Sequence, residues 1–426
     1  MDDPFLSCIE APTVEGEGNG MSEVVICEPV RTPVGAFGGV RTGPSTAEAA
    51  NLALVSLLAR TGLRGGDIDD AALGHCDPNG ESPAIGRLWR STRASGPPCR
   101  GYRSTAGAAR VFRPCCTPPY RSAVERPTSS SPVASSRIES MRAEHDALGL
   151  RQGVRSDGVQ LMDRLARGRV TAGSTFHPLP GGMLETAENL RAEYDISHSE
   201  EDELALRSPE ACAVAVREGR FDDEIVPIEV PGRRGSAPEL ISRDEHPRPE
   251  MTLGRLSALH PVRLGIDPEA TVTAGSASGQ NDGAALCVIT TRDHADRHQL
   301  RPMLSIASWA VAGVGPHVMG TGPVPATVVA LKRADFTLVE PNEAFAAQVA
   351  AQVIACLRES NRSTADRERL NVNGSGISLG HPVRATGARI LATLAHEVHR
   401  RSNRLGLETM CIGGGQGLAA IFEAVR

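Results

Sequence analysis

Strand-type apolar runs and helix-type amphipathic stretches alternate along most of this chain, joined by glycine-rich loops. VVICEPV (24–30) reads as a buried strand, and RTPVGAFGG (31–39) as a Pro/Gly loop leaving it. TAEAANLALVSLLARTG (46–62) carries apolar residues at helical spacing between a Thr cap and a Gly stop. DIDDAALGHC follows as a second strand. Residues 184–221 read as two helices around a Ser-capped turn, and 271–291 as strand, Gly/Ser loop, then a buried strand or helix. Residues 303–313 form a buried strand and 342–357 an Ala-rich helix. Residues 371–401 form a glycine loop feeding a helix, and 408–425 strand, glycine turn and strand. Such alternation confines the fold to the α/β class.

One window breaks the pattern. Residues 88–137 hold nine Arg against the single acid Glu125, with seven Pro, one Leu and no Ile. Neither a period of 2 nor one of 3.6 runs through them. About fifty structureless residues inside a compact domain are improbable on loop-length grounds. The expectation is an irregular segment. Residues 1–20, acidic and Gly-rich, read as a disordered extension without the basic start and apolar core of a signal peptide.

The bulk numbers exclude more than they assign. A net charge of -6 gives no case for nucleic acid or an anionic membrane surface. No apolar run approaches the roughly 18 residues needed to span a bilayer. A cytoplasmic location is the default expectation. The ten cysteines show no CxxC pair and no zinc-site spacing, so no metal is expected. Only Lys332 represents lysine among the 45 basic residues, as GC-rich codon usage produces.

Three stretches carry chemistry. NEAFA places Asn342 and Glu343 at a helix start. SGISLGHP places His381 in a glycine loop before a helix. CIGGGQG places Cys411 at a strand end. Each alone is weak: a lone buried Cys is more often packing, and neither glycine run matches a P-loop or dinucleotide fingerprint. Together with VRTPVGAFGG, GGMLETAEN and TVTAGSASGQNDGAA they make six motifs in order. In these the chain resembles the thiolase family, the acetyl-CoA acetyltransferases and 3-ketoacyl-CoA thiolases, over about residues 21–87 and 138–426.

The resemblance implies a thiolase-like fold: two βαβαβαββ halves in alternating helix and sheet layers, with an inserted loop domain. It places the first half at 21–138 and 266–300, the loop domain at 139–265 and the second half at 301–426. It implies acyl transfer between 3-ketoacyl-CoA and CoA through an acyl-cysteine, without a cofactor beyond the CoA thioesters themselves. Cys411 matches the family's acid/base cysteine, which exchanges a proton with the substrate α-carbon. His381 matches the histidine that activates the nucleophile and polarises the thioester carbonyl. Asn342 matches the asparagine of an oxyanion hole. Gly413 matches the glycines whose backbone N–H groups approach substrate, Ser278 the residue contacting the pantetheine arm, and Met183 the acyl-pocket lining. A homodimer or homotetramer is implied as well. Arg384 departs from the family, which usually has glycine there.

The attacking cysteine is the larger departure. The family carries it in C-[GS]-S-G-L-Q-A at a helix N-terminus, where the helix dipole lowers its pKa. That run belongs inside 88–137 and is absent; Cys99, Cys115 and Cys116 sit in PPCRG and RPCCTPP, which offer neither the turn nor the helix. With GC-rich codons, joining the last base of each codon to the first two of the next turns STAGAARVFRPCCT (104–117) into D-R-R-C-G-S-G-L-Q-A-V-L-H, placing the thiol across Gly107 and Ala108. The same shift turns TSSSPVA (128–134) into V-V-V-A-G-G and LWRSTRAS (88–95) into V-A-L-D-A-G-L. The expectation is a frameshifted window and an impaired acyltransferase. Two alternatives stay open: a non-catalytic thiolase-like chain serving as a CoA-binding or subunit partner, and a ketosynthase-like condensing enzyme, which usually pairs its cysteine with two histidines or His and Asn.

Overall fold

The computed structural model describes residues 7–9, 23–39, 46–68, 70–75, 100–104, 130–136, 163–232, 236–332, 334, 337–360 and 367–426. A mixed sheet runs through them, with order β11-β12-β13-β10-β2-β9-β6-β4-β5. The first half contributes β2 (Val24–Arg31), the short β3 (Gly35–Ala36) paired beside β9, β4 (Asp70–His75), β5 (Arg100–Ser104), β6 (Ser130–Ser136) and β9 (Asn281–Thr291). The second contributes β10 (Pro302–Gly313), β11 (Leu338–Pro341), β12 (Leu405–Ile412) and β13 (Gln416–Ala424). β11 runs parallel to β12, which is antiparallel to β13, itself antiparallel to β10. In the first half β4, β6, β9 and β2 repeat the same sequence of orientations. The halves meet where β2 pairs antiparallel with β10.

Helices cover both faces. α1 (Thr46–Thr61) presses Leu54 and Leu57 onto Val25, Val30 and Leu286. Between β6 and β9 come α2 (Arg164–Val170), α3 (Gly182–Tyr194), α4 (His198–Arg217), the β7–β8 ribbon (Ile228–Val230, Glu239–Ile241) and α5 (Leu253–Ser257). Ser197 and Glu200 close a capping box at the α4 start, as the Ser-capped turn predicts. α6 (Arg292–Arg297) follows β9, and α7 (Pro323–Leu331) packs Ala326 and Val329 on Leu407 and Ile421. α8 (Ala346–Ser360), the short α9 (Gly376–Leu379) and α10 (Thr386–Arg400) complete the second half. α10 lies across both halves: Ile390, Leu391, Leu394 and Val398 meet Ile26 and Ile289 of one and Met410 and Phe422 of the other. Each such fully buried aliphatic side chain contributes about 1.5–3 kcal/mol.

Four expectations are corrected. Ser7–Ile9, inside the supposed disordered extension, form β1 against Val311–Gly313 of β10, whose pairing with β2 ends at Ser305 and leaves that edge open. Residues 100–104 and 130–136, inside the supposed irregular window, are strands, because backbone groups on β4 and β9 can be paired whatever the side chains. Thr271–Thr273 form no strand: the Thr271 and Val272 amides donate to the Glu188 carboxylate and Thr273 bonds Ser276. The helix after Asn342 begins only at Ala346, because Gln348 Oε1 accepts from the amides of Ala344 and Phe345 (3.1 and 3.4 Å) and fixes a turn there.

Candidate active site

Asn342 follows directly on β11, and its amide donates to the Thr409 carbonyl of β12 at 3.0 Å. Two residues beyond Thr409 is Cys411, so the parallel pairing of β11 and β12 brings these two sequence-predicted residues to one end of the sheet. The Asn342 carboxamide is buried, with Nδ2 3.5 Å from both ring nitrogens of His381 and Oδ1 without a partner among the described residues. The Gln348 side chain holds the Asn342 carbonyl at 3.2 Å.

His381 is fixed from several directions. Its amide donates to Asn281 Oδ1 at 3.0 Å, and Asn281 Nδ2 reaches the Gly35 carbonyl at 3.0 Å. Gly380 before it has φ +94°, and a Cβ there would lie 2.6 Å from the Asn281 carboxamide carbon. Thr386 Oγ1 lies 2.7 Å from His381 Nδ1. Burial, then the nearby cations Arg389 and Arg169, pull the imidazole down to about 3, so it is neutral at physiological pH.

The loop ahead of His381 hangs on Glu343. Its buried carboxylate accepts from Ser208 Oγ (2.5 Å), Asn371 Nδ2 (2.7 Å) and the Ile377 amide (3.3 Å). Ser278 enters through its backbone: its amide donates to the Ala344 carbonyl at 2.9 Å, and Gln280 bridges to His381. The 276–281, 342–345 and 376–381 loops are thereby sewn together.

Cys411 is buried in β12 opposite Gly417. Burial pushes its thiol up to about 12, which keeps it protonated and able to give a proton. Beyond it, Gly414 and Gly415 have φ of +91° and +86°, which makes the tight β12–β13 turn. Gly413 at the head of this turn is exposed. A Cβ on Gly414 would stand 3.1 Å from the Ala172 carbonyl, so the segment after α2 lies over the turn. Met183 sits in the first turn of α3, partly buried, on the helix that packs against α8. No bond ties it to His381 or Cys411.

Arg384 lies in the turn before α10, with buried Nε and Nη1 that find no hydrogen-bond partner among the described residues. Gly107 and Ala108, where the attacking thiol is expected, lie outside the described residues. So do Cys99, Cys115 and Cys116. Sequence reasoning missed Asn281, Thr386 and Gln348. Asn281 stands within the quoted SASGQNDG motif, but its contact with His381 spans 100 residues.

Chemically, the assembled groups comprise a neutral imidazole, a buried carboxamide with a free edge, and a protonated thiol at a glycine turn. That set can hold a carbonyl oxygen and deliver a proton to a carbon beside it. Among the described residues no group of His, Cys, Asp and Glu could hold a metal ion, and no helix is long and apolar enough to cross a membrane.

Comparisons with known proteins point to one family. Residues 138–293 match the family model described as "Thiolase, N-terminal domain", and 300–424 that described as "Thiolase, C-terminal domain". The chain is 38% identical over 413 residues to the beta-ketothiolase BktB of Cupriavidus necator, covering 95% of this chain and 99% of the relative. It is 35% identical over 424 residues to the beta-ketoadipyl-CoA thiolase of Pseudomonas aeruginosa, covering 95% and 99%. Among solved structures, the Bacillus anthracis acetyl-CoA acetyltransferase superposes with a TM-score of 0.83 at 34% identity, over 96% of this chain and 100% of that one. Human mitochondrial 3-ketoacyl-CoA thiolase superposes with a TM-score of 0.84 at 31% identity, over 95% and 100%.

Proposed function

The chain belongs to the thiolase family of acyltransferases, and on that footing we propose that its site is built for acyl exchange between 3-ketoacyl-CoA and CoA but lacks the attacking thiol. The observation that carries the first part is the meeting of Asn342 and His381 at 3.5 Å on loops that end beside the Cys411 strand. In the forward cleavage, a cysteine thiolate attacks the 3-keto carbonyl and the C–C bond breaks. The acetyl unit leaves as an enolate of its CoA thioester, and Cys411 gives it a proton at the α-carbon. CoA then takes the acyl group from the first cysteine. His381 and Asn342 stabilise negative charge on the thioester oxygen. The first step needs a cysteine thiolate, and none of the cysteines as written stands in the required motif.

We read 88–137 as encoded one base out of frame. Pro132 supports that reading. It stands within β6, paired with β4 on one side and β9 on the other, where a proline cannot donate to the ladder. The shifted frame writes V-V-V-A-G-G across 128–134, the composition of a buried strand.

Two measurements test this reading. Resequencing the coding DNA across residues 88–137 is expected to show a one-base gain or loss at each end. Confirmation of an uninterrupted frame in independent isolates contradicts it. Calorimetric titration with CoA tests the partner reading: a chain that binds no CoA rules out a CoA-binding partner protein. We further propose a cytoplasmic oligomer, checked by light scattering on the purified chain.

A further inference from the structure

His246 lies between the β7–β8 ribbon and α5 and is buried, at 9% exposure. The residues before it run along the loop after β2. Asp244 accepts from Arg31 Nη1 and Nη2 (2.7 and 2.9 Å) and from the Val34 amide (2.7 Å). Glu245 Oε2 accepts from the Ala36 amide at 3.0 Å. So anchored, His246 brings Nδ1 to 3.3 Å from Asn281 Nδ2, and its ring also bonds the Ile377 backbone. We propose that His246 is a positioning residue: its ring bridges the Ile377 carbonyl to the Asn281 carboxamide and so holds the His381 backbone in place.

Fixed partners decide every proton in this bridge. The His381 amide can only donate and the Gly35 carbonyl can only accept, so Asn281 turns Oδ1 to the first and Nδ2 to the second, each at 3.0 Å. The second Nδ2 proton is left for His246, whose Nδ1 therefore accepts it with a lone pair. A neutral ring then carries its proton on Nε2. The Ile377 backbone favours the charged ring, as an accepting carbonyl does and an amide does not. Burial, then Arg248, outweigh Ile377 and Asp244 and pull the ring below its ordinary range, so it is neutral at physiological pH. No donor faces a donor.

The bridge replaces a helical hydrogen bond. α9 ends at Leu379, and in a continuing helix the His381 amide would donate to the Ile377 carbonyl four residues back. Gly380 at φ +94° turns the chain away, and the amide goes to Asn281 instead. His246 and Asn281 together satisfy both ends of that missing bond. The ring also packs by its Cε1 on Gly279, where a Cβ would stand 2.4 Å away. A residue from the segment between β6 and β9 thus sets the backbone of the second half's histidine. Its catalytic meaning rests on the acyl transfer proposed above, whereas the bridge itself does not.

The test compares the full 426-residue chain with His246→Phe, which keeps a ring without an acceptor, and His246→Asn, whose Oδ1 can stand where Nδ1 does. Hydrogen exchange is read by mass spectrometry at the His381 amide, with the β9 amides as reference. In His246→Phe the His381 amide is expected to exchange about tenfold faster or more against that reference, the effect of a buried donor left unmade. His246→Asn is expected to stay within about threefold of the parent. Unchanged His381 exchange in His246→Phe overturns the proposal, as does His246→Asn exchanging as fast as His246→Phe. Equal acceleration at His381 and β9 overturns it too, since His246 would then serve general stability alone. If His246→Phe does not fold, the ring nitrogens of the ¹⁵N-histidine-labelled parent decide, read from the signals lost in His246→Asn. A bare Nδ1 with Nε2–H supports the bridge, and Nδ1–H overturns it. No turnover is needed, so the outcome is separate from that of the acyl-transfer reading.

Discussion

At the residue scale, the site depends on small groups in unusual backbone states. Gly380 holds φ +94° with the Asn281 carboxamide where a Cβ would go. Gly380→Ala therefore combines left-handed strain with a clash, and we expect a loss on the order of 1–3 kcal/mol, read as a lower urea midpoint. An unchanged midpoint would show that the loop tolerates a Cβ and that Asn281 does not lock it. Asn342, His381 and Cys411 were legible because each sits in a local motif with a distinctive string. Thr386 and Asn281 were not, because a threonine after a helix-start turn and an asparagine before a strand have many ordinary uses. Only the folded contacts at 2.7 and 3.0 Å single them out. The departure at Arg384 was also legible, and among the described residues its buried Nε and Nη1 find no hydrogen-bond partner.

At the element scale, β11 and β12 set two carboxyls side by side. Glu340 and Glu408 are register partners, 1% and 0% exposed, under α10. Among the described residues Glu340 Oε1 and both Glu408 oxygens find no hydrogen-bond partners. Burial raises both carboxyls well above the usual range; Arg389 works against this, while Glu408 is raised further by Glu340, and Glu340 further by Glu397, Glu343 and Glu224. With folded pKa values above the unfolded ones, the neutral carboxyls contribute stability that is fully present below about pH 4.5 and is lost as pH rises. Glu408→Gln keeps the neutral shape and removes the titration. Its urea midpoint should exceed the parent's at pH 8 by an amount that shrinks toward pH 5. A midpoint at pH 8 equal to or below the parent's would show that Glu408 is not held neutral. Apolar burial also concentrates at α10, and Leu394→Ala should cost about 2–5 kcal/mol in the same measurement. Most elements were visible from periodicity. The exceptions were places where side chains replaced backbone partners, as Glu188 does at Thr271 and Gln348 at Ala344, or where an open edge recruited residues of weak propensity, as β10 does with Ser7–Ile9.

At the scale of the whole molecule, two halves with the same order of strand orientations meet at β2 and β10, and α10 covers both. Asn342, His381 and Cys411 all lie in the second half, between residues 301 and 426. The thiol that should face them belongs to the first half, inside 88–137. One half of the chemistry is thus written plainly and the other, on our reading, in a shifted frame. The direct measurement is thiolysis of acetoacetyl-CoA by two purified chains, one as written and one with 88–137 re-encoded in the shifted frame so that C-G-S-G-L-Q-A is restored. The account predicts no turnover above background from the first and clear turnover from the second, abolished again when the restored cysteine is replaced by alanine. Robust turnover by the chain as written would contradict it.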